Sequence, residues 1–186
     1  GKKDFWKNTF SVSKDTLIPR PDSEALIESV LKYLPQDGSF NFLDLGTGSG
    51  CLIISILEEF KNSQGTGIDI SKNAISIANK NKKNINNDLN LSFIVHDFFT
   101  YDTKGFDIII CNPPYVPKNE LNEITEEVIN FEPHLALFPK KSTEDCYGKI
   151  ISNIKSTNNK NCYVFFEIDY RDHFLVSNIL KDNDFL

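Results

Sequence analysis

Two hydrophobic patterns alternate along this chain. Short runs rich in apolar residues predict strands at 41–45, 65–70, 91–95, 106–111 and 162–168. The run at 106–111 is continuous in apolar residues, as in a parallel strand that is covered on both faces. Apolar residues at helical spacing predict helices at 22–34, 50–60, 72–83, 145–156 and 171–182. This alternation is typical of a doubly wound α/β fold with a parallel sheet. A β-hairpin is predicted ahead of the first helix, at about 5–18, and Asp22 or Ser23 is the predicted N-cap of that helix.

The strand at 41–45 runs directly into a glycine-rich turn that opens the next helix. This glycine loop consists of Gly46, Thr47, Gly48, Ser49 and Gly50. Its glycines let the backbone approach a ligand closely, and the helix N-terminus behind them offers free N–H donors. The dinucleotide fingerprint needs a glycine where this chain has Cys51, and no Gly-Lys-Ser/Thr of a P-loop follows. The loop therefore favours a nucleoside ligand that carries no pyrophosphate.

Acidic residues stand at the ends of the next two strands. Asp69 lies about 20 residues past the glycine loop, where a carboxylate suits the two hydroxyls of a ribose. The alternative is that Asp69 and Ser71 only cap the following helix. We expect Asp97 to accept a hydrogen bond from an adenine amino group and Phe98 to lie against the ring, although core packing is the alternative for Phe98.

A strand at 106–111 ends in Asn112-Pro113-Pro114-Tyr115. The prolines end the strand and hold the next backbone stretch rigid. The Asn112 carboxamide and the Pro113 carbonyl are acceptors suited to the two hydrogens of a planar –NH2 group, and the Tyr115 ring can lie against that group. An ordinary turn is the alternative. The carboxyl ends of parallel strands share one edge, so these residues, the glycine loop and Asp69 converge on one crevice. Together they indicate S-adenosylmethionine and N-methylation of a planar amino group, with no metal.

Further segments add a family resemblance that covers nearly the whole chain. Thr16-Leu17-Ile18-Pro19-Arg20-Pro21-Asp22-Ser23-Glu24, Phe5-Trp6 and Phe131-Glu132-Pro133-His134 resemble segments of the release-factor glutamine methyltransferases, the HemK/PrmC family. The chain departs from the family pattern at 145–147 and 158–161. The resemblance implies a Rossmann-like class I S-adenosylmethionine-dependent methyltransferase. Its substrate would be a glutamine side-chain amide, methylated at N5, in the Gly-Gly-Gln loop of peptide chain release factors.

The same resemblance implies roles and boundaries. Asn112, Pro113, Pro114 and Tyr115 would be catalytic, and the cofactor would be held by the glycine loop, Asp69, Asp97, Phe98 and Asn112. Residues 1–21 would form the hairpin and linker, and 22–186 the catalytic domain. A helical substrate-binding domain would precede Gly1, and further strands would follow Leu186. The absence of methionine fits an excised piece.

Charge and composition narrow the alternatives. The net charge of −6, from 20 basic and 26 acidic residues, disfavours broad binding to a phosphate backbone. This counts against an adenine-N6 or guanine-N2 nucleic-acid methyltransferase. A ribosomal-protein glutamine methyltransferase and a nucleotide-binding module without catalysis stay open. Four cysteines without Cys-x-x-Cys spacing, no apolar run of membrane-spanning length and no signal peptide indicate a cytoplasmic protein without a membrane partner.

Overall fold

A computed structural model describes residues 1–114, 133, 142–157 and 162–185. The chain begins with an antiparallel hairpin of β1 (Lys2–Phe5) and β2 (Asn8–Ser11). The central sheet is parallel and, within the described residues, has five strands in the order β5-β4-β3-β6-β7. They are β3 (Asn41–Leu45), β4 (Gln64–Asp69), β5 (Leu91–Val95), β6 (Ile108–Cys111) and β7 (Tyr163–Phe166).

Helices cover both faces of this sheet. In the described ranges they are α1 (Glu24–Tyr33), α2 (Cys51–Glu59), α3 (Lys72–Ile85), α4 (Thr143–Thr157) and α5 (His173–Asp182). Short 3-10 turns at Pro21–Ser23 and Tyr170–Asp172 precede α1 and α5. None of these helices is long and apolar enough to cross a membrane.

Side chains that alternate along the strands form two separate cores. Phe42, Ile108 and Ile110 pack in one cluster with apolar residues of α1 and α2 and with the hairpin. Leu43 and Ile109 pack in a second cluster with the inner face of α4. The central strands β3 and β6 are thus buried on both faces, whereas the edge strands β5 and β7 are partly exposed. The doubly wound, Rossmann-like α/β fold with a small N-terminal hairpin is confirmed.

The hairpin occupies a different part of the sequence from the one predicted. It spans residues 2–11 rather than 5–18, and its turn contains Trp6, which has a positive φ of 53°. Such a turn lacks the Asn-Gly or Gly-Gly pattern that marks a hairpin in sequence. Its stabilising contacts come from distant residues: the Trp6 backbone N–H donates to Glu24 and its indole N–H donates to Glu59, each at 2.8 Å.

The starts of α1, α4 and α5 each differ by two residues from the predictions. Ser23 precedes α1, but its side chain makes no capping hydrogen bond, and the 3-10 turn leads into the helix instead. Helix α4 starts at Thr143 rather than at 145. The Ser142 hydroxyl accepts a hydrogen bond from the Asp145 N–H at 3.1 Å, which satisfies one of the free donors of the first turn.

Strand register brings the predicted site residues to one edge of the sheet. Leu45 at the end of β3 pairs with Ile68 of β4 on one side and with Cys111 of β6 on the other. Gly46, Asp69 and Asn112 therefore lie at the ends of three adjacent strands. The chain runs from β3 to β4 and β5 and then returns to β6, so the connections leave β3 in opposite directions. Ligands of open α/β sheets bind at such a point.

Candidate functional site

The glycine loop is a tight turn whose glycines have positive φ angles. The values are 78° at Gly46, 55° at Gly48 and 79° at Gly50, which is the left-handed region that favours glycine. The backbone N–H groups of Gly46 and Thr47 both donate to the Ile68 carbonyl, at 2.9 and 2.8 Å. The loop is thereby fixed to the end of β4, next to Asp69.

Gly48 and Gly50 have different surroundings, which indicate different reasons for a glycine at each position. Among the described residues, a Cβ on Gly48 would have one neighbour within 4 Å, the Gly46 carbonyl oxygen at 3.9 Å. A Cβ on Gly50 would lie 3.0 Å from the Phe93 ring and 3.2 Å from Ala78. Gly48 thus faces space that the described part of the chain leaves open to a ligand, whereas Gly50 is needed for packing.

Asn81 holds the glycine loop from behind. This buried side chain on α3 donates from Nδ2 to the Ser49 carbonyl and to the Ser11 carbonyl, each at 2.9 Å, and its Oδ1 accepts from the Ser11 N–H at 2.8 Å. It links helix, loop and hairpin. The sequence prediction of the site missed Asn81, and only a polar residue within a helical pattern marks it.

Asp69 contacts the loop through its carboxylate. One oxygen accepts from the Gly48 N–H at 3.0 Å and the other from the Ser71 N–H at 2.8 Å, while the Ser71 hydroxyl caps α3. Burial raises the pKa of Asp69 above its ordinary value, and the Ser71 and Gly48 donors act in the opposite direction. Each carboxylate oxygen can accept a second hydrogen bond, so Asp69 can brace the loop and still accept from a ribose.

Asp44 is a buried acid beneath the loop that the sequence prediction did not include. It is 1% exposed, and the Thr47 hydroxyl donates to its Oδ2 at 2.6 Å. Desolvation by burial raises its pKa to about 7, the Thr47 hydrogen bond opposes this rise, and the Asp69 charge adds to it. A charged residue inside an otherwise apolar strand is the signal that marks it in the sequence.

Phe98 and Asp97 occupy different positions relative to the crevice. The Phe98 ring lies over the loop, since a Cβ on Gly46 would be 3.6 Å from it, and the ring lines the same cavity as Gly46. It also packs on Phe99, with ring centroids 4.5 Å apart. Asp97 lines a neighbouring cleft, and its carboxylate accepts from the Phe99 N–H at 3.0 Å. Contact of Asp97 with an adenine stays a prediction.

The Asn112 carboxamide is held by two partners from distant parts of the chain. Its Nδ2 donates to Glu167 Oε2 at 2.8 Å and to the Ser23 hydroxyl at 3.1 Å. Both N–H hydrogens are therefore engaged. Among the residues that the structure describes, none donates to the Asn112 Oδ1, which can accept from a ligand. Neither Glu167 nor Ser23 was predicted as a site residue.

One cavity connects the two halves of the site. Its lining includes Gly46, Gly48 and Asp69 from the loop and β4, Asn112 and Pro114 from the segment after β6, and Phe98. Asp15, Thr16, Leu17, Ile70, Ser71 and Pro133 complete its wall. Pro113 is buried next to it. Tyr115 and most of the 131–138 segment lie outside the described residues, so their predicted roles stay predictions.

The cavity residues fit S-adenosylmethionine. An open backbone at Gly48, a carboxylate at Asp69 and an aromatic ring at Phe98 are suited to a nucleoside. Asn112 lines the same cavity, and its oxygen has no donor among the described residues.

Comparison with known proteins agrees with this geometry. Residues 36–164 match the family described as Methyltransferase domain. The release factor glutamine methyltransferase of Fusobacterium nucleatum is 38% identical over 187 residues, which cover 100% of this chain and 52% of that protein. The bifunctional methyltransferase of Rickettsia bellii is 36% identical, covering 100% of this chain and 38% of that protein. The chain thus spans about two-fifths to one-half of the length of these relatives.

A solved structure supports the fold. The hMettl16 catalytic domain in complex with MAT2A 3'UTR hairpin 6 superposes with a TM-score of 0.72 at 16% identity, covering 93% of this chain and 66% of that one. At this identity the likeness concerns the fold alone.

Proposed function

We propose that this chain, which belongs to the methyltransferase domain family and within it to the release-factor glutamine methyltransferases (HemK/PrmC), catalyses N5-methylation of a glutamine side-chain amide. The observation that carries the proposal is the orientation of Asn112. Its two N–H hydrogens are engaged by Ser23 and Glu167, so its oxygen is left to accept from a planar amide inside the cavity.

The other end of the cavity would hold the cofactor. Gly48 would let the ribose and the adjoining atoms approach the backbone, Asp69 would accept from the ribose hydroxyls, and Phe98 would lie against the adenine. When bound, S-adenosylmethionine supplies an electrophilic methyl carbon on a sulfonium.

The protein's own contribution is alignment of the amide. An amide nitrogen is a poor nucleophile because its lone pair is delocalised into the carbonyl. The Asn112 Oδ1 and the Pro113 carbonyl would accept its two N–H hydrogens and direct the lone pair toward the methyl carbon. Such positioning can lower a barrier by up to roughly 7–11 kcal/mol in ideal intramolecular cases. Positive charge that grows on the nitrogen strengthens both hydrogen bonds in the transition state, as catalysis requires. A proton then leaves the methylated nitrogen.

The proposed substrate is a peptide chain release factor. Relatives that carry this name, such as the Fusobacterium nucleatum protein, support it. The glutamine would lie in a Gly-Gly-Gln loop, whose small neighbours let the side chain extend into a narrow cavity beside Pro114. The net charge of −6 favours a protein over a nucleic-acid substrate. Release factors act in the cytoplasm, which is the proposed location of the reaction.

Replacement of Asn112 tests this mechanism. Asn112→Ala removes the Oδ1 acceptor, and we expect multiple-turnover methylation of a release factor to be abolished, with only a slow single-turnover rate left, while affinity for S-adenosylhomocysteine stays within about threefold. The measurements are incorporation of labelled methyl groups and titration calorimetry. Asn87→Ala, at an exposed position, is the matched control. Near-normal turnover by Asn112→Ala would refute the proposed role of the carboxamide.

A further inference from the structure

We propose that Glu167 and Ser23 are positioning residues that set the orientation of the Asn112 carboxamide, so that its oxygen faces the reacting amide. This inference rests on the proposed function. Its starting point is that both residues contact the one side chain assigned to hold the substrate nitrogen. Neither is expected to touch the substrate itself.

Strand register places Glu167 beside Asn112. Cys111 of β6 pairs with Phe166 of β7, so the next residues, Asn112 and Glu167, leave the sheet side by side. The Glu167 backbone is fixed at both polar groups: its N–H donates to the Cys111 carbonyl at 3.0 Å and its carbonyl accepts from the Tyr147 hydroxyl at 2.7 Å. Tyr147 is fully buried. The Glu167 carboxylate therefore projects from an anchored backbone.

The chemistry of a carboxylate decides which way the amide faces. An ionised carboxylate only accepts hydrogen bonds, so the –NH2 end of Asn112 must point at Glu167. In the reversed orientation, two oxygens would face each other, and the –NH2 end would meet the –NH2 of the substrate. A carboxamide without this partner can adopt both orientations. Glu167 thus excludes the unproductive one.

Ser23 fixes the second hydrogen of the same –NH2 group. It is 4% exposed and comes from the turn ahead of α1, a part of the chain distant in sequence from Glu167. Its hydroxyl lies 3.1 Å from the Asn112 Nδ2 and makes no capping contact with its own helix. With two partners, the carboxamide plane is fixed as well as its direction.

Kinetics of Glu167 variants test the inference. Glu167→Leu should lower kcat by about 10- to 100-fold, the effect of losing one charge-assisted hydrogen bond, and leave affinity for S-adenosylhomocysteine within about twofold. Glu167→Gln keeps an acceptor oxygen and should regain most of kcat. Ser23→Ala should have a smaller effect, of about threefold. Glu28→Leu, on the exposed face of α1, is the control. A loss in Glu167→Leu that appears mainly in cofactor affinity would overturn the assignment.

A double-mutant cycle separates positioning from general structure. If Glu167 acts only through Asn112, Glu167→Leu should cause no further loss of single-turnover methyl transfer in the Asn112→Ala background. Additive losses would contradict the proposal.

A measurement without substrate keeps the inference distinct from the proposed function. Hydrogen exchange of the Asn112 side-chain amide, assigned by the signal lost in Asn112→Ala, should be slowed in the wild type and accelerated at least about tenfold in Glu167→Leu. Exchange that is unchanged by Glu167→Leu would overturn the inference even if the enzyme methylates glutamine. If exchange is slowed but glutamine is not methylated, the contact between Glu167 and Asn112 is supported and the proposed glutamine methylation is refuted.

Discussion

Buried Asp44 should make the stability of the protein depend on pH in a predictable direction. Its pKa of about 7 in the folded state exceeds the value of 3.8 for an unperturbed aspartate, and its side chain is 1% exposed. The folded protein therefore keeps a proton that the unfolded chain releases. Stability from this group is fully present below pH 3.8 and is lost as pH rises through about 7.

The size of the effect follows from the difference between the two pKa values. A shift of about three pH units corresponds to about 4 kcal/mol, since each unit is worth about 1.4 kcal/mol. This is a large fraction of the roughly 5–15 kcal/mol that stabilise a typical domain. Asp44→Asn replaces the acid with a neutral group of the same shape that still accepts from Thr47. The variant should gain stability relative to the wild type as pH rises, by at most about 4 kcal/mol.

Urea unfolding followed by circular dichroism, at several pH values between about 4 and 8, measures this difference. The gap between Asp44→Asn and the wild type should widen up to about pH 7 and then level off. Asp88→Asn, at an exposed position, controls for the loss of one surface charge. A gap that changes by less than about 1 kcal/mol across the range would show that Asp44 does not titrate with the raised pKa.

The remaining predictions concern cofactor affinity. Gly48→Ala and Gly50→Ala introduce the same backbone strain, of roughly 1–2 kcal/mol, but Gly48→Ala should weaken S-adenosylhomocysteine binding with little further loss of thermal stability. Gly50→Ala should lose more stability, because its Cβ would lie 3.0 Å from Phe93. Equal melting temperatures of the two variants would contradict this difference in packing. Asp69→Ala should weaken binding by about 1.5–3 kcal/mol in calorimetry, and unchanged affinity in a folded variant would remove Asp69 from the site.

The parts of the fold that sequence predicted well depend on local pattern. The sheet strands are apolar runs bounded by turns. Gly46, Asp69 and Asn112 lie at strand ends, so a parallel sheet has to bring them to one edge. The positions of the glycines also indicate the conformation of the glycine loop, since each of them has a positive φ.

The parts that sequence missed depend on contacts between distant residues. Ser23 and Glu167 meet Asn112 across 89 and 55 positions, through strand register and the docking of α1, which no local pattern encodes. The sequence predicts Ser23 as a helix N-cap because serine is a favoured residue at that position. The hairpin was placed too late because its Trp6 turn depends on Glu24 and Glu59 rather than on turn residues.

Glutamine methylation is tested most directly by labelling a release factor with S-adenosylmethionine that carries a tritiated methyl group. Ribosomal protein, oligonucleotides and a short Gly-Gly-Gln peptide serve as parallel substrates, and mass spectrometry locates the label. We expect label on the glutamine of the Gly-Gly-Gln loop, none on DNA, and complete loss when that glutamine is changed to alanine. Label that persists after this change, or oligonucleotides that are methylated faster than the release factor, would contradict a glutamine methyltransferase.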